Sequence, residues 1–471
     1  MVRLLATALV LALGVATAAR PAAAQEGQGQ QPNVVFILGD DITFSDVPVW
    51  GGTNVETPNL DRLASEGMTF DKAYVTSPAC TPTRAALYTG LNPFNNGVAW
   101  NHGLTKPGVK SWGHYFGDAG YRVGIAGKRD TAPDDRYPWE IVGGVTGNSV
   151  ADVVEFSTDD MQSFVTRDED QPFVLAVGLT NAHVPWTAGD PESLDPDSFD
   201  LPPHLPNHPG VRRAFASYLA EIEDLDREIG AILDLLDEEN LAENTIVMFC
   251  SEQGAQMPGA KWNLYDIGTH TGVIVRWPGV VEAGTRTDAI VQDIDVTPTL
   301  LEAVGAPVPE VLDGESFLPV LEGEADEARE YAYTMHNNVP EGPPFPIRAI
   351  TDGEHTYIEN LAPDHAYLIK FMMGGDGRDS GLWNAICFAG HTHPLARTII
   401  DRTLIRPAEE FYNVNDDPAM MNNLIGDESH ADKVESLKAK LHEWREANED
   451  AGVEMDTQET FQEWRREAQN G

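Results

Sequence analysis

Positive charge is scarce in this chain: 31 Lys and Arg stand against 75 Asp and Glu, a formal net charge of −44 at pH 7. A surface of that sign repels nucleic acid and anionic membranes at long range, so neither is an expected partner. An anionic substrate would have to be met locally, by a basic pocket inside an acidic shell, with salt screening the rest. Cysteine is scarcer still. Cys80, Cys250 and Cys387 are the whole set, an odd number, so at least one thiol stays outside any intrachain disulfide. Cys250 ends an apolar run and reads as a buried thiol. Long apolar runs are missing beyond the first 24 residues, and no later stretch reaches the roughly 20 residues of a membrane-spanning helix. Internal repeats are missing too, which leaves no basis for a solenoid.

What is present suffices for a large folded body. The chain has 471 residues, 42% of them hydrophobic and 8% aromatic. At roughly 150 residues per domain this is about three domains of chain, which large α/β enzymes often merge into one big unit and a smaller one. Residues 1–24 are expected to be a cleavable secretory signal. Arg3 gives a basic start, residues 4–18 are apolar but too short to span a membrane, and Ala22-Ala23-Ala24 offers a small-residue cleavage site. No Cys lies near that site, so a lipid anchor is not expected and the mature protein is expected to be periplasmic or secreted. Residues 25–32 read as a polar linker, 33–330 as a catalytic domain, 331–450 as a smaller C-terminal subdomain and 451–471 as a tail.

Apolar runs at 33–38, 121–126, 172–179 and 245–250 each read as a buried strand. Polar residues follow each one: Gly39-Asp40-Asp41, Gly127-Lys128, Asn181-Ala182-His183 and Ser251-Glu252-Gln253. Open α/β sheets bind ligands at the carboxyl ends of their strands, so these corners are where a site is expected. The adjacent carboxylates of Asp40 and Asp41 repel each other and would accept a cation; the same pair would also serve a solvated turn or a helix N-cap. Lys128 suits either a surface or an anion. His183, held stiffly by the nearby Pro185, suits either a structural or a catalytic role. Residues 212–237 form an amphipathic helix with Ala216, Leu219, Ile222, Ile229, Ile232 and Leu236 on its apolar face. Cys80 opens another helix: Pro82 suits its first turn, residues 84–88 continue it and Gly90 stops it. A side chain at that start sits among unpaired N–H groups at the positive end of the dipole, a place for an anion. Past residue 330, strand-like pieces at 348–351 and 355–358 predict a smaller antiparallel sheet. An amphipathic helix over 431–448 is expected to pack on it, with an exposed last helix over 455–471.

Cys80-Thr81-Pro82-Thr83-Arg84, followed by Thr89-Gly90, resembles the signature of the sulfatase family, and residues 57–90 resemble that family's N-terminal block almost without a break. The resemblance implies an α/β fold of alkaline-phosphatase-like type: a large mixed sheet flanked by helices, with a smaller C-terminal antiparallel sheet plus helix. It implies that a formylglycine-generating enzyme converts Cys80 to formylglycine during maturation, and that the hydrate of this group attacks sulfur. It further implies that Asp40, Asp41, Glu252 and Gln253, with the modified Cys80, hold Ca2+. Arg84 would fix the nucleophile, Lys128 and Lys261 would contact the sulfate, and His183 or Lys261 would protonate the leaving group. An oxygen-rich donor set suits Ca2+, which takes about six to eight oxygens, rather than zinc. Four positions depart from the family pattern. Asp130 stands where a His is usual, Glu252-Gln253 where Asp with His or Asn is usual, and His270 where Arg is usual. Residues 295–301 and 409–424 resemble later family blocks.

The implied chemistry is physically coherent. A sulfate ester resists attack because its own negative charge shields sulfur, so a catalyst needs cations, a strong nucleophile and a proton for the leaving group. Asn96-Gly97-Val98 and the segments 124–128, 135–139 and 345–348 resemble the heparan N-sulfatase (sulfamidase) branch. The expected substrate is therefore a sulfated carbohydrate, either N-sulfoglucosamine-like or an O-sulfated algal or animal polysaccharide. Two other readings stand beside these. A phosphatase or phosphodiesterase of the same superfamily is disfavoured by Cys80 at the nucleophile position and by a metal set poor in His. A non-catalytic glycan-binding relative is favoured by Asp130, Glu252 and Gln253, and disfavoured by the retention of Cys80, Arg84, Lys128, His183 and Lys261.

Overall fold

The structure, a computed structural model, describes residues 31–143, 157–373 and 381–470; the expected signal and most of the linker lie outside them. The described residues from Pro32 onward make one compact unit. Its large sheet contains β1 (Asn33–Gly39), β2 (Met68–Tyr74), β3 (Arg122–Gly127), β4 (Glu140–Ile141), β5 (Phe173–Gly178), β6 (Thr245–Ser251), β7 (His270–Arg276) and β8 (Thr285–Gln292). Their order is β4-β3-β5-β1-β6-β7-β2-β8. β3, β4, β5, β1 and β6 run parallel, β7 runs antiparallel to β6 and β2, and β2 is parallel to β8.

The continuous apolar runs follow from burial on both faces. Val35 and Ile37 of β1, with Leu175, Val177, Val247 and Phe249 of its neighbours, share one core with Ile222, Leu225 and Ile229 of the helix Pro209–Glu238. Val34, Phe36 and Leu38 turn the other way and pack with Trp112, Phe116 and Leu300. Side chains alternate across a strand, so each residue of such a strand needs an apolar neighbour.

The smaller sheet is antiparallel, ordered β12-β11-β10-β9, from β9 (Ala332–His336), β10 (Ile347–Thr351), β11 (His355–Asn360) and β12 (Glu409–Asn413). The helix Ala431–Ala447 lays Val434, Leu437 and Leu441 against Ile350, Tyr357 and Phe411. The last helix, Gln458–Asn470, is largely exposed, as expected from its sequence, but docks one face on the body. Phe461 and Trp464 pack on Trp100, and Arg465 Nη1 donates to the carbonyl of His102 at 2.6 Å. Asp456, fully buried, anchors its approach by accepting from the backbone N–H groups of Asn338, Val339 and Phe345. All three cysteines are free thiols. Among the described residues no helix is long and apolar enough to cross a membrane.

Candidate active site

The sheet order explains why four distant sequence segments meet. β3, β5, β1 and β6 are adjacent and parallel, so their carboxyl ends open side by side. Backbone bonds lock the corners together. Asp40 N donates to Asn181 O at 3.0 Å, Ala182 N to Asp40 O at 2.6 Å, Glu252 N to Gly39 O at 2.8 Å and Lys128 N to Gly178 O at 2.7 Å. Gly178 is required by this closeness: a Cβ there would stand 2.1 Å from Lys128 O and 2.8 Å from Arg84 Nη1.

Cys80 begins the helix Cys80–Thr89, every residue of which is buried. Its Sγ lies 3.1 Å from Lys261 Nζ, 3.4 Å from Gln253 Nε2 and 3.8 Å from Asp40 Oδ1. Around it each acid meets a cation. Asp40 Oδ2 accepts from Lys128 Nζ at 2.5 Å and Asp41 Oδ2 from Lys261 Nζ at 2.7 Å. Glu252 takes a two-pronged bond from Arg84, Nε to Oε1 and Nη2 to Oε2, both 2.9 Å. The third guanidinium nitrogen, Nη1, donates to Lys128 O at 2.8 Å. Arg84 therefore aligns Glu252 and the Lys128 corner. His183 Nε2 stands 3.6 Å from Asp41 Oδ2, while its Nδ1 contacts Val184 O at 2.6 Å.

Burial dominates the electrostatics. It pushes the Cys80 thiol far up, with Glu252 adding to the effect and the two lysines opposing it. Burial disfavours charge on Lys128, yet Asp40 outweighs it and holds the ammonium well above the ordinary lysine range. Lys261 is held up in the same way by Asp41. Desolvation, helped by Lys261, pushes His183 down to about 3. The cationic nitrogens of Arg84, Lys128 and Lys261 are thus kept charged in a space that Coulomb interactions make strongly polar.

The donor set fits a hard cation. Oxygens of Asp40 and Glu252 and the sulfur of Cys80 all lie within 4.8 Å of one another, and all three residues are buried. Asp41 joins from the other side through Gln253, whose Nε2 donates to Asp41 Oδ1 at 2.6 Å. The opposite amide edge, Oε1, accepts from Thr83 Oγ1 at 3.3 Å; a half-turn of the amide exchanges the edges and offers an oxygen to the cluster. Asp130 is buried beside Lys128, its Oδ2 4.0 Å from Nζ, in a left-handed backbone conformation. His270, by contrast, has both ring nitrogens occupied, by Asp266 at 3.1 Å and by Asp71 O at 2.8 Å, and it stacks on Phe44. Thr83, inside the Cys80 motif, is the residue that sequence reasoning passed over; its position about one helical turn after Cys80 was the available signal.

Residues 32–306, more than half of the chain, match the Sulfatase family model. The chain belongs to the sulfatase family. It is a hydrolase of sulfate esters or sulfamates, and the large mixed sheet with its small antiparallel companion is the alkaline-phosphatase-like fold expected. An ulvan-active sulfatase of Formosa agariphila is 26% identical over 428 residues, covering 89% of this chain and 81% of that protein. The human N-sulphoglucosamine sulphohydrolase is 26% identical over 480 residues, covering 89% and 91%. A solved structure described as a complex with its substrate D-glucosamine-2-N,6-O-disulfate shares the fold. Its TM-score is 0.71 at 20% identity, covering 91% of this chain and all of that one. The phosphonate monoester hydrolase of Agrobacterium radiobacter shares it too, with a TM-score of 0.66 at 19% identity, covering 88% and 96%.

Proposed function

We propose that this sulfatase is secreted and removes sulfate from a sulfated carbohydrate of the N-sulfoglucosamine class, using formylglycine made from Cys80 and a calcium site. The observation that carries the reading is the crowding of Cys80 by Lys261, Gln253 and Asp40 at the mouth of four parallel strands. Formylglycine would supply the hydroxyl nucleophile, and Ca2+ would supply positive charge at the sulfate oxygens. Asp40, Asp41, Glu252 and Gln253 are the residues that would hold the cation.

The rest is work for the chain's own groups. Lys128 Nζ pairs with Asp40 and Lys261 Nζ with Asp41, and these two ammonium groups would meet a sulfate bound beside residue 80. Arg84 holds Glu252 by both oxygens, so this longer acid keeps one orientation. Lys261 Nζ donates to Asp41 Oδ2 and carries a proton that could go to a leaving group; His183 Nε2 stands 3.6 Å from the same oxygen and, with the ring proton held on Nδ1 by Val184 O, would accept a proton before passing one on. The burial of the site strengthens each of these attractions relative to water.

The test is sulfate release from N-sulfoglucosamine, 6-O-sulfated N-acetylglucosamine and sulfated galactans, with calcium-loaded protein matured by a formylglycine-generating enzyme. Release from N-sulfoglucosamine that disappears in Cys80→Ala is the expected result. Release only from an O-sulfated sugar would keep the mechanism and move the substrate to an O-sulfated polysaccharide. Release that persists in Cys80→Ala would sink the mechanism.

A further inference from the structure

Trp262 follows Lys261 directly and holds a backbone conformation that bulky side chains rarely adopt, with φ at +65°. Crowding of Cβ against the backbone makes such left-handed residues costly unless the surroundings hold them. Here they do. Trp262 N donates to Pro78 O at 2.9 Å, and Trp262 O accepts from Tyr367 Oη at 2.7 Å. The next residue is pinned as well: Asn263 Oδ1 accepts from Arg406 Nη1 at 3.0 Å, and Asn263 Nδ2 donates to Lys261 O at 3.2 Å. Pro78 lies two residues before Cys80, so the turn is fastened both to the Cys80 segment and to the C-terminal part of the chain.

The turn brings sequence neighbours face to face. In extended chain, successive side chains point to opposite sides. At this turn the indole lies against the ammonium before it, with Lys261 Nζ 5.1 Å from the ring centroid. Lys370 Nζ is 5.8 Å from the same centroid, and Phe371 stacks on the ring at 6.0 Å and 22°. A ring within about 6 Å of an ammonium attracts it through its negative face, and indole does so best. Lys261 Nζ thus has three partners: Asp41 Oδ2 at 2.7 Å, Cys80 Sγ at 3.1 Å and the ring. Core packing accounts for an apolar side chain at position 262. It does not account for the left-handed backbone. Nor does it account for an indole whose Nε1 has no hydrogen-bond partner among the described residues, although Trp262 is 1% exposed. A buried N–H left unpaired is a cost that Phe or Leu would avoid.

We propose that Trp262 is a positioning residue of this sulfatase: its ring fixes the Lys261 ammonium beside residue 80, and Tyr367 sets the turn that places the ring. The inference rests on the reading of Lys261 as a sulfate contact and proton carrier.

The test is kcat/KM for 4-nitrophenyl sulfate with matured, calcium-loaded protein, read beside the melting temperature of each variant. Trp262→Met keeps an apolar side chain and removes the ring. It should lower kcat/KM about ten-fold, the rate equivalent of one desolvated cation–ring contact. Trp262→Phe keeps a ring with a weaker face and should restore most of the rate, to within about three-fold of the parent, even where the two variants melt alike. Tyr367→Phe removes only the hydroxyl bond to Trp262 O and leaves its ring against Phe345. It should lower kcat/KM about three-fold or more, the equivalent of one buried hydrogen bond. The inference is overturned if Trp262→Met and Trp262→Phe turn over alike; should Trp262→Met fail to fold, it is overturned if Tyr367→Phe matches the parent. Lys261→Met judges the underlying reading. A parental rate in that variant removes Lys261 from the mechanism, whereas a loss there with no loss in Trp262→Met overturns the positioning role alone.

Discussion

Arg84 and Glu252 are both fully buried, and their guanidinium and carboxylate meet edge to edge. Removing one charge from such a pair strands the other, which costs about 3–5 kcal/mol in buried pairs. Glu252→Gln should therefore lower the unfolding free energy, read from urea denaturation, by an amount in that range, and Glu252→Asp should lose less; a loss under about 1 kcal/mol would mean that the Arg84 charge is satisfied elsewhere. At this scale legibility in the sequence was uneven. Asp40, Lys128, His183 and Glu252 stood out because each follows an apolar run. Trp262 did not, because it lies in irregular chain between β6 and β7, where no periodicity marks a position. The partner of Arg84 was hidden for another reason: the sequence presents Glu252 as a metal ligand and says nothing of the guanidinium that reaches it from 168 positions away.

The close approach of β5 to the Lys128 corner sets the tolerance of a whole element. Gly178→Ala would drive a methyl into the Lys128 carbonyl and the Arg84 guanidinium. Overpacking of this kind typically costs about 1–3 kcal/mol. Here the displaced groups belong to the site, so kcat/KM for 4-nitrophenyl sulfate should fall by far more than stability does. Gly117→Ala is the control: that helical glycine has open space within 4 Å of its added Cβ, and neither stability nor rate should drop. Loss of stability without loss of rate in Gly178→Ala would show that the corner can shift freely. Among elements, the continuous runs of β1, β3, β5 and β6 were readable because burial on both faces leaves no choice of residue. β2 and β8 were not, since Asp71 and Lys72 in one and Arg286 and Asp288 in the other interrupt any apolar pattern. Each pairs with a neighbour in the same sheet, and those tertiary partners override local preference.

Over the whole molecule, acid and base act on stability through buried groups of both kinds. Burial pushes Asp46, Asp293, Glu221 and Glu228 up to about 7. In the fold they hold protons that the unfolded chain has released, so stability rises as pH falls from about 7 towards 4. His183, His204 and His336, pushed down by burial to between about 3 and about 4, work against this below their ordinary value of 6.5. They are fewer, and the fall in negative charge on a −44 chain adds to the acids' side. Below the ordinary carboxylate values the direction reverses. Asp450, held at about 2 by Arg348 against its burial, stays ionised in the fold while the unfolded chain takes up protons, and Glu341 behaves alike. The expected Tm is therefore higher near pH 5 than near pH 8 and falls below about pH 4; added salt should raise it more at pH 8, where like charges are most numerous. A flat Tm between pH 5 and pH 8 would remove this account. The burial of Cys80 has one more consequence, and it concerns time. The side chain lies on a helix with no exposed residue and is closed over by Lys261 and Gln253, made long after it. At about 5–20 residues per second, synthesis from residue 80 to residue 261 takes roughly 10–40 s. Any catalyst that alters Cys80 has that interval, while the nascent chain is still an open strand, in which to find it.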